Sequence, residues 1–167
     1  MQNSYAIYGE YARNANNPMK NGLNRRVFNV VEAQCGADIR LHDDGSVTLA
    51  PGTYRLTGYS AVTMQTTMAP PQVKSNYPGY CLVYLNDQEN SGPDLVKTAL
   101  AIGSGATSSE IAPSLFDTIQ TFDQPTDICV GHQSGNDLKE PIWLSIYIVD
   151  GVPSDYHVMA RIAITRL

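Results

Sequence analysis

The clearest local pattern in this chain is Gly45-Ser-Val-Thr-Leu-Ala-Pro-Gly-Thr-Tyr54, which continues as Arg55-Leu-Thr-Gly-Tyr-Ser60. Pro51-Gly52 ends the first apolar run with a turn, because proline fixes φ and glycine accepts conformations that other residues avoid. In the run that follows, alternate residues form two sets, one starting at Tyr54 and the other at Arg55, which is the period of a β-strand. Both sets are only moderately polar. The pattern therefore predicts a strand over Thr53–Met64 that is covered on both faces.

Similar runs of Tyr, Thr, Val and Ile occur along the whole chain, separated by Gly, Pro, Asn and Asp, and we find no long helical stripe. Asp43-Asp44-Gly45 predicts a tight hairpin turn. About ten short strands in one domain predict an all-β fold, with two antiparallel sheets packed as a jelly-roll sandwich. The predicted strands are Ser4–Tyr8, Arg25–Val31, Asp38–Leu41, Ser46–Leu49, Thr53–Met64, Tyr80–Leu85, Lys97–Ile102, Leu115–Phe122, Ile128–Gln133, Ile142–Val149 and His157–Arg166.

The last predicted strand has one apolar face and one mixed face. Val158, Ala160, Ile162 and Ile164 form the apolar face, and the opposite face carries His157, Met159, Arg161, Ala163 and Thr165. Ile142–Val149 is apolar or aromatic on both faces. A strand with two apolar or mixed faces needs two covers, of which one is the second sheet of the sandwich. A neighbouring subunit is the cover that we expect on the other side.

The size and charge of the chain limit its architecture and partners. Its 167 residues are 43% hydrophobic, which predicts a single folded domain over residues 1–167, with residues 1–23 as an N-terminal strand and loop packed on it. With 11 Lys+Arg against 16 Asp+Glu, the net charge is −5, and Arg25-Arg26 is the only adjacent basic pair. Nucleic acid and anionic membrane surfaces are therefore not expected as partners.

Targeting signals and paired cysteines are not expected either. Residues 1–10 contain no basic region followed by a long apolar one, so we expect synthesis in the cytoplasm without a secretory signal. No stretch approaches the roughly 18 apolar residues of a membrane span. Cys35, Cys81 and Cys129 lie far apart with no C-x-x-C pair, which predicts three free thiols.

The segment from Gly45 to Ser60 resembles the turn and strand of C1q-like and TNF-like jelly rolls, where an apolar strand runs into Pro-Gly and then into an aromatic-bearing core strand. His157-Val-Met-Ala-Arg-Ile-Ala-Ile-Thr-Arg-Leu167 is similar to the last strand of that superfamily. Together with Asn24-Arg-Arg-Val-Phe-Asn29, the order of elements also resembles C-terminal modules of phage tail fibres and uncharacterised bacterial and phage relatives. The resemblance covers residues 24–167.

This resemblance implies a compact homotrimer. The last strand would lie at the centre of an inner sheet packed about a threefold axis, with apical loops free to bind a protein receptor or glycan. The residues expected at the threefold contact are Tyr59, Met159, Arg161 and Ala163. The chain has neither a collagen-like stalk nor a fibre shaft. The jelly-roll element order, the strands covered on both faces and the lack of a convincing catalytic set predict a non-enzymatic binding or structural module. We expect a phage or bacterial receptor-binding or particle-decoration protein that is cytoplasmic or part of a phage particle.

The polar segment Gly131-His-Gln-Ser-Gly-Asn-Asp137 is the candidate ligand-binding loop, through His132, Ser134, Asn136 and Asp137. Two alternatives to the receptor-binding hypothesis remain open. One is a carbohydrate-binding lectin. The other is a hydrolase using His132, Ser134 and Asp137, but no Gly-x-Ser-x-Gly turn surrounds Ser134, so we assign no catalytic residue.

Metal and cofactor sites find little support in the sequence. If Asp87 in Asn86–Asp94 is taken as the first ligand of an EF-hand calcium loop, the final carboxylate position falls on Thr98, so the pattern fails. An irregular calcium site in that segment stays open. Residues 103–109 lack the Gly-Lys-Ser/Thr of a phosphate-binding loop. We therefore predict neither a metal nor a cofactor.

Overall fold

The computed structural model describes residues 4–11, 18–64, 79–106, 112–134, 142–143 and 157–167. Between the eighth and ninth of its strands lie two 3-10 turns, Asn86–Gln88 and Gly92–Asp94, and a four-residue helix, α1 (Leu95–Thr98). The strands are β1 (Tyr5–Tyr11), β2 (Leu23–Arg25), β3 (Val30–Cys35), β4 (Ile39–Leu41), β5 (Val47–Leu49), β6 (Gly52–Ser60), β7 (Thr63–Met64), β8 (Tyr80–Leu85), β9 (Ala101–Gly105), β10 (Ser114–Phe122), β11 (Thr126–Gln133), β12 (Ile142–Trp143) and β13 (Val158–Arg166). None of the described helices is long and apolar enough to cross a membrane.

Two antiparallel sheets form a jelly-roll sandwich, which confirms the predicted fold class. The first sheet has the order β10-β6-β13-β1-β3, so the last strand lies at its centre, as the resemblance implies. The second has the order β4-β5-β11-β8-β9, with β2 beside β11. β1 pairs with both β13 and β3, so the N-terminal strand is an integral member of the first sheet.

The main core lies between the two sheets and follows the predicted alternation. Tyr54 and Leu56 of β6 are buried, whereas Arg55 between them is exposed. The other buried members include residues from both sheets, namely Ala6, Tyr8, Phe28, Ile39, Val47, Leu49, Cys81, Val83, Phe116, Phe122, Ile128, Val130, Ala160, Ile162 and Ile164. Each buried large apolar side chain contributes about 1.5–3 kcal/mol relative to an exposed one, so this cluster is the main source of stability.

The hairpin predicted at Asp43-Asp44-Gly45 connects β4 to β5. His42 N donates to Ser46 O at 2.9 Å, and Gly45 N donates to His42 O at 3.0 Å. The φ of Gly45 is +84°, a value that glycine adopts without strain. The Asp44 carboxylate accepts a 2.9 Å hydrogen bond from Ser46 N, which fixes the turn.

Some predicted strands have different limits in the structure. Arg25–Val31 is two strands, β2 and β3, because residues 26–29 cross from the second sheet to the first. Thr53–Met64 divides after Ser60, where Ala61 N donates to Met159 O at 2.8 Å. Lys97 and Thr98 belong to α1 rather than to a strand, because Leu95 anchors this turn in an apolar cluster. Of the predicted strand Ile142–Val149, only Ile142–Trp143 lies within the described residues.

Candidate functional site

The side chains of the first sheet that point away from the second sheet form a continuous surface, which we call the outward face. Strand register arranges this face as three rows that cross the sheet. The rows are Leu115, Tyr59, Arg161 and Gly9; then Asp117, Thr57, Ala163, Ile7 and Ala33; and then Ile119, Arg55, Thr165, Tyr5 and Cys35.

Small side chains occupy the middle of the outward face, and large apolar ones lie along its β10 border. Thr57 and Ala163 are opposite each other at the centre and are both half-buried. On β10, Leu115 and Ile119 are 56% and 60% exposed. A low centre beside an exposed apolar border is a shape that another protein surface can cover closely.

The charged side chains in these rows are neutralised within the chain. Arg161 Nε donates to Glu32 Oε1 at 2.9 Å, and the Tyr11 hydroxyl donates to the same oxygen at 3.1 Å. Arg55 forms a bidentate pair with Asp117, at 3.0 and 2.6 Å. Covering this face would therefore leave none of these charges without its partner, although removing the ion pairs from water would still cost free energy.

Tyr59 lies beside Arg161 in the first row. Its hydroxyl donates to Val158 O at 3.3 Å. Burial raises the pKa of Tyr59, so the phenol is neutral at physiological pH and contributes a ring and a hydrogen bond rather than a charge.

The structure brings three of the four predicted contact residues together. Tyr59 and Arg161 are direct cross-strand partners, and Ala163 lies in the next row. Met159 differs, because its side chain is only 4% exposed within the single chain. The register of β1 and β13 shifts between Glu10 and Tyr11, opposite this part of β13, so simple alternation does not hold there and the prediction of an outward Met159 is wrong.

The predicted ligand-binding loop is not open at its first two residues. His132 belongs to β11, with β2 on one side and β8 on the other, and its side chain is fully buried. Its Nδ1 lies 2.8 Å from Ser60 Oγ. Ser134 is buried too, and its hydroxyl accepts a 2.6 Å hydrogen bond from Gly22 N. These two residues are therefore structural, contrary to the prediction, and Asn136 and Asp137 lie outside the described residues.

A buried ion pair that sequence reasoning missed lies behind the outward face. Arg26 is fully buried, and its guanidinium lies 3.5 Å from Glu10 Oε2. It donates to Ser60 Oγ at 2.9 Å, to Met159 O at 3.0 Å and to Ala61 O. Burial raises the pKa of Glu10 and lowers that of Arg26. No local sequence pattern marks this pair, because Glu10 and Arg26 belong to segments that meet only in the folded chain.

No metal centre is formed within the described ranges, where no three His, Cys, Asp or Glu side chains are grouped to hold an ion. A shallow cavity of about 350 Å³ opens at the end of the sandwich where Leu85–Asp87 meets Gln124–Asp127. The described residues that line it are mostly polar and none is aromatic. It therefore offers hydrogen bonds but no platform for stacking a sugar ring.

Comparison with known proteins supports the fold. No protein-family model matches the sequence, and no curated protein matches it. Among solved structures, the crystal structure of murine APRIL at pH 8.0 is similar over 99% of both chains, with a TM-score of 0.55 and 12% sequence identity. Murine APRIL is a TNF-family jelly-roll protein, so the likeness confirms the TNF-like fold. The similarity to phage tail-fibre modules stays a prediction.

Proposed function

We propose that this chain is a non-enzymatic binding module that assembles as a homotrimer through the outward face of its first sheet. A TNF-like jelly roll fits a binding or structural module in general. The observation that carries the proposal is the outward face itself, with its small centre, its exposed apolar border on β10 and its paired charges. These features are those of a surface that a second protein covers.

The partners that we favour for each chain are two further copies of itself. The resemblance to TNF-like jelly rolls implies a homotrimer with the last strand at the centre of the inner sheet, and β13 has that central position here. In this arrangement Tyr59, Arg161 and Ala163 contribute to the contact between subunits. Leu115 and Ile119 supply the apolar area, at about 25 cal/mol per Å² removed from water.

The partner of the assembled module is proposed to be a protein receptor. The setting we propose is a phage particle or a bacterial cell, following the resemblance of the element order to tail-fibre modules. Assembly brings three copies of each receptor-binding surface together, so weak individual contacts act as one stronger contact.

Substitution of an exposed leucine by aspartate tests the assembly. Wild-type protein is expected to sediment with three times the mass of the 18.2 kDa chain at micromolar concentration. Leu115→Asp places a charge in the apolar border and is expected to give single chains. Leu167→Asp is the matched control, because Leu167 is 66% exposed at the end of the chain and lies outside the three rows.

Circular dichroism should show both variants folded, since both leucines are exposed. A wild-type protein that sediments as a single chain would contradict the proposed trimer. A Leu115→Asp variant that keeps the mass of the wild-type assembly would show that the outward face is not the contact.

A further inference from the structure

The connection between β8 and β9, residues Asn86–Ala99, covers part of the second sheet on the side away from the main core. Beneath it lies a small apolar cluster that is separate from that core. Its buried members are Leu82, Tyr84, Leu95 and Cys129, and Leu23, Tyr80 and Ala99 pack against them. Leu95 is the buried side chain that this connection contributes.

The polar contacts that hold this connection are made mainly by Arg25. The Arg25 guanidinium donates to Asn86 Oδ1 and lies 3.6 Å from Glu89 Oε2. Asn86 Oδ1 also accepts a 3.3 Å hydrogen bond from the Cys129 thiol. Arg25 is itself held by Asp44 of the β4–β5 turn, at 3.1 Å.

The backbone of this connection bonds mainly to itself. Ser91 N donates to Gln88 O at 2.9 Å and Asp94 N to Ser91 O at 3.3 Å. The first described backbone bond back to the sheet after it is from Leu100 N to Val83 O, at 2.8 Å. The connection is therefore held near its start by the polar contacts around Arg25 and in its second half by the Leu95 side chain.

Packing of this connection against the sheet also has an energetic cost. Gln88 Oε1 is a buried polar atom that has no hydrogen-bond partner in the described part of the chain, whereas the buried Tyr84 hydroxyl interacts with Arg25. A polar group buried without a partner opposes the packed arrangement. Opening the connection would return Gln88 Oε1 to water while the backbone pairing of the sheets stays intact.

We propose that residues Asn86–Ala99 are a lid that opens as a unit while the sandwich stays folded, and that opening exposes Cys129. Cys81 differs, because it lies in the main core between the two sheets and becomes accessible only when the sandwich unfolds. The two thiols therefore report two different motions of one molecule.

Thiol labelling of the full-length protein tests the lid. Burial raises the pKa of Cys129 to about 11 and also raises that of Cys81, so both thiols are protected in the closed state. Labelling with N-ethylmaleimide, followed by peptide mass spectrometry, is expected to modify Cys129 before Cys81. Low concentrations of urea should leave the Cys129 rate nearly constant and accelerate that of Cys81 steeply, because only global unfolding exposes a large area.

Leu95→Ala should accelerate Cys129 labelling by about tenfold or more with little change at Cys81, since it removes the apolar anchor of the lid. Lys97→Ala is the matched control on the same lid, because the Lys97 side chain is exposed and pairs with Asp94 of its own segment. Equal rates and equal urea dependence at Cys129 and Cys81 would overturn the proposal. So would a Leu95→Ala variant that accelerates both thiols equally.

Discussion

Arg26→Met is expected to lower the free energy of unfolding by about 3–5 kcal/mol, a large part of the roughly 5–15 kcal/mol of a domain. Methionine fills much of the space of the arginine side chain, so the loss would come from charge and hydrogen bonding rather than from a large cavity. The substitution leaves Glu10 buried without its cation. It also leaves the carbonyl oxygens of Ala61 and Met159 without the guanidinium that donates to them.

Arg55→Met is the matched control for Arg26→Met. Arg55 also forms an ion pair, with Asp117, but both side chains are about half exposed, so its loss should cost no more than about 1 kcal/mol. Urea denaturation followed by circular dichroism measures both variants. A loss of less than 1 kcal/mol in Arg26→Met would contradict a stabilising role for the buried pair.

The pH dependence of Arg26→Met gives a second test. Burial raises the pKa of Glu10 above its ordinary value of 4.5, and the charge of Arg26 opposes this rise. Without Arg26 the pKa should rise further, so the carboxyl would prefer to be protonated in the folded state. The stability of the variant would then increase as the pH falls from 7 toward 4.5, because a group with a raised folded pKa favours folding at low pH. The deficit relative to wild type should shrink over that range.

Local pattern was sufficient for those strands and turns whose causes are local. Tyr80–Leu85 is a strand with the predicted limits, and the alternation of Tyr54, Arg55 and Leu56 matches their burial. Gly45 forms the predicted turn because its positive φ is a local conformation that glycine adopts without strain. The fold class followed from the number and spacing of such elements.

The buried ion pair could not be predicted because its causes are distant in the sequence. Arg26 is adjacent to Arg25, and the doublet has the appearance of an exposed basic pair. Its burial depends on Glu10 and on the Met159 carbonyl, which reach it only after the two sheets have packed. Met159 was misplaced for a related reason, because a register shift depends on the partner strand.

The outward face could be predicted from the sequence only in part. Periodicity alone was enough to place Arg161 and Ala163 on the mixed side of the last strand. The position of Tyr59 in the same row as Arg161 depends on the pairing of β6 with β13. No local sequence pattern contains that pairing. The exposed border on β10 was missed, because Leu115 alternates with Phe116 and only the sheet order places Leu115 at an edge.

Gly45→Ala is expected to lower the free energy of unfolding by about 3 kcal/mol, through two separate penalties. The first is the positive φ of +84°, which costs a residue with a side chain about 1–2 kcal/mol. The second is steric. A Cβ at Gly45 would lie 2.8 Å from both Arg26 O and Val27 Cα, and backbone atoms cannot rotate away as the end of a side chain can. Overpacking of this kind typically costs about 1–3 kcal/mol more.

Gly22→Ala separates the two penalties. Gly22 has a similar φ of +90°, but a Cβ there would meet no atom within 4 Å, so this variant should show the conformational cost alone. Equal losses in the two variants would mean that the segment containing Arg26 yields to the new methyl group. A larger loss at Gly45 would mean that the hairpin turn and the crossing segment support each other. The turn would then help Glu10 to position the Arg26 guanidinium.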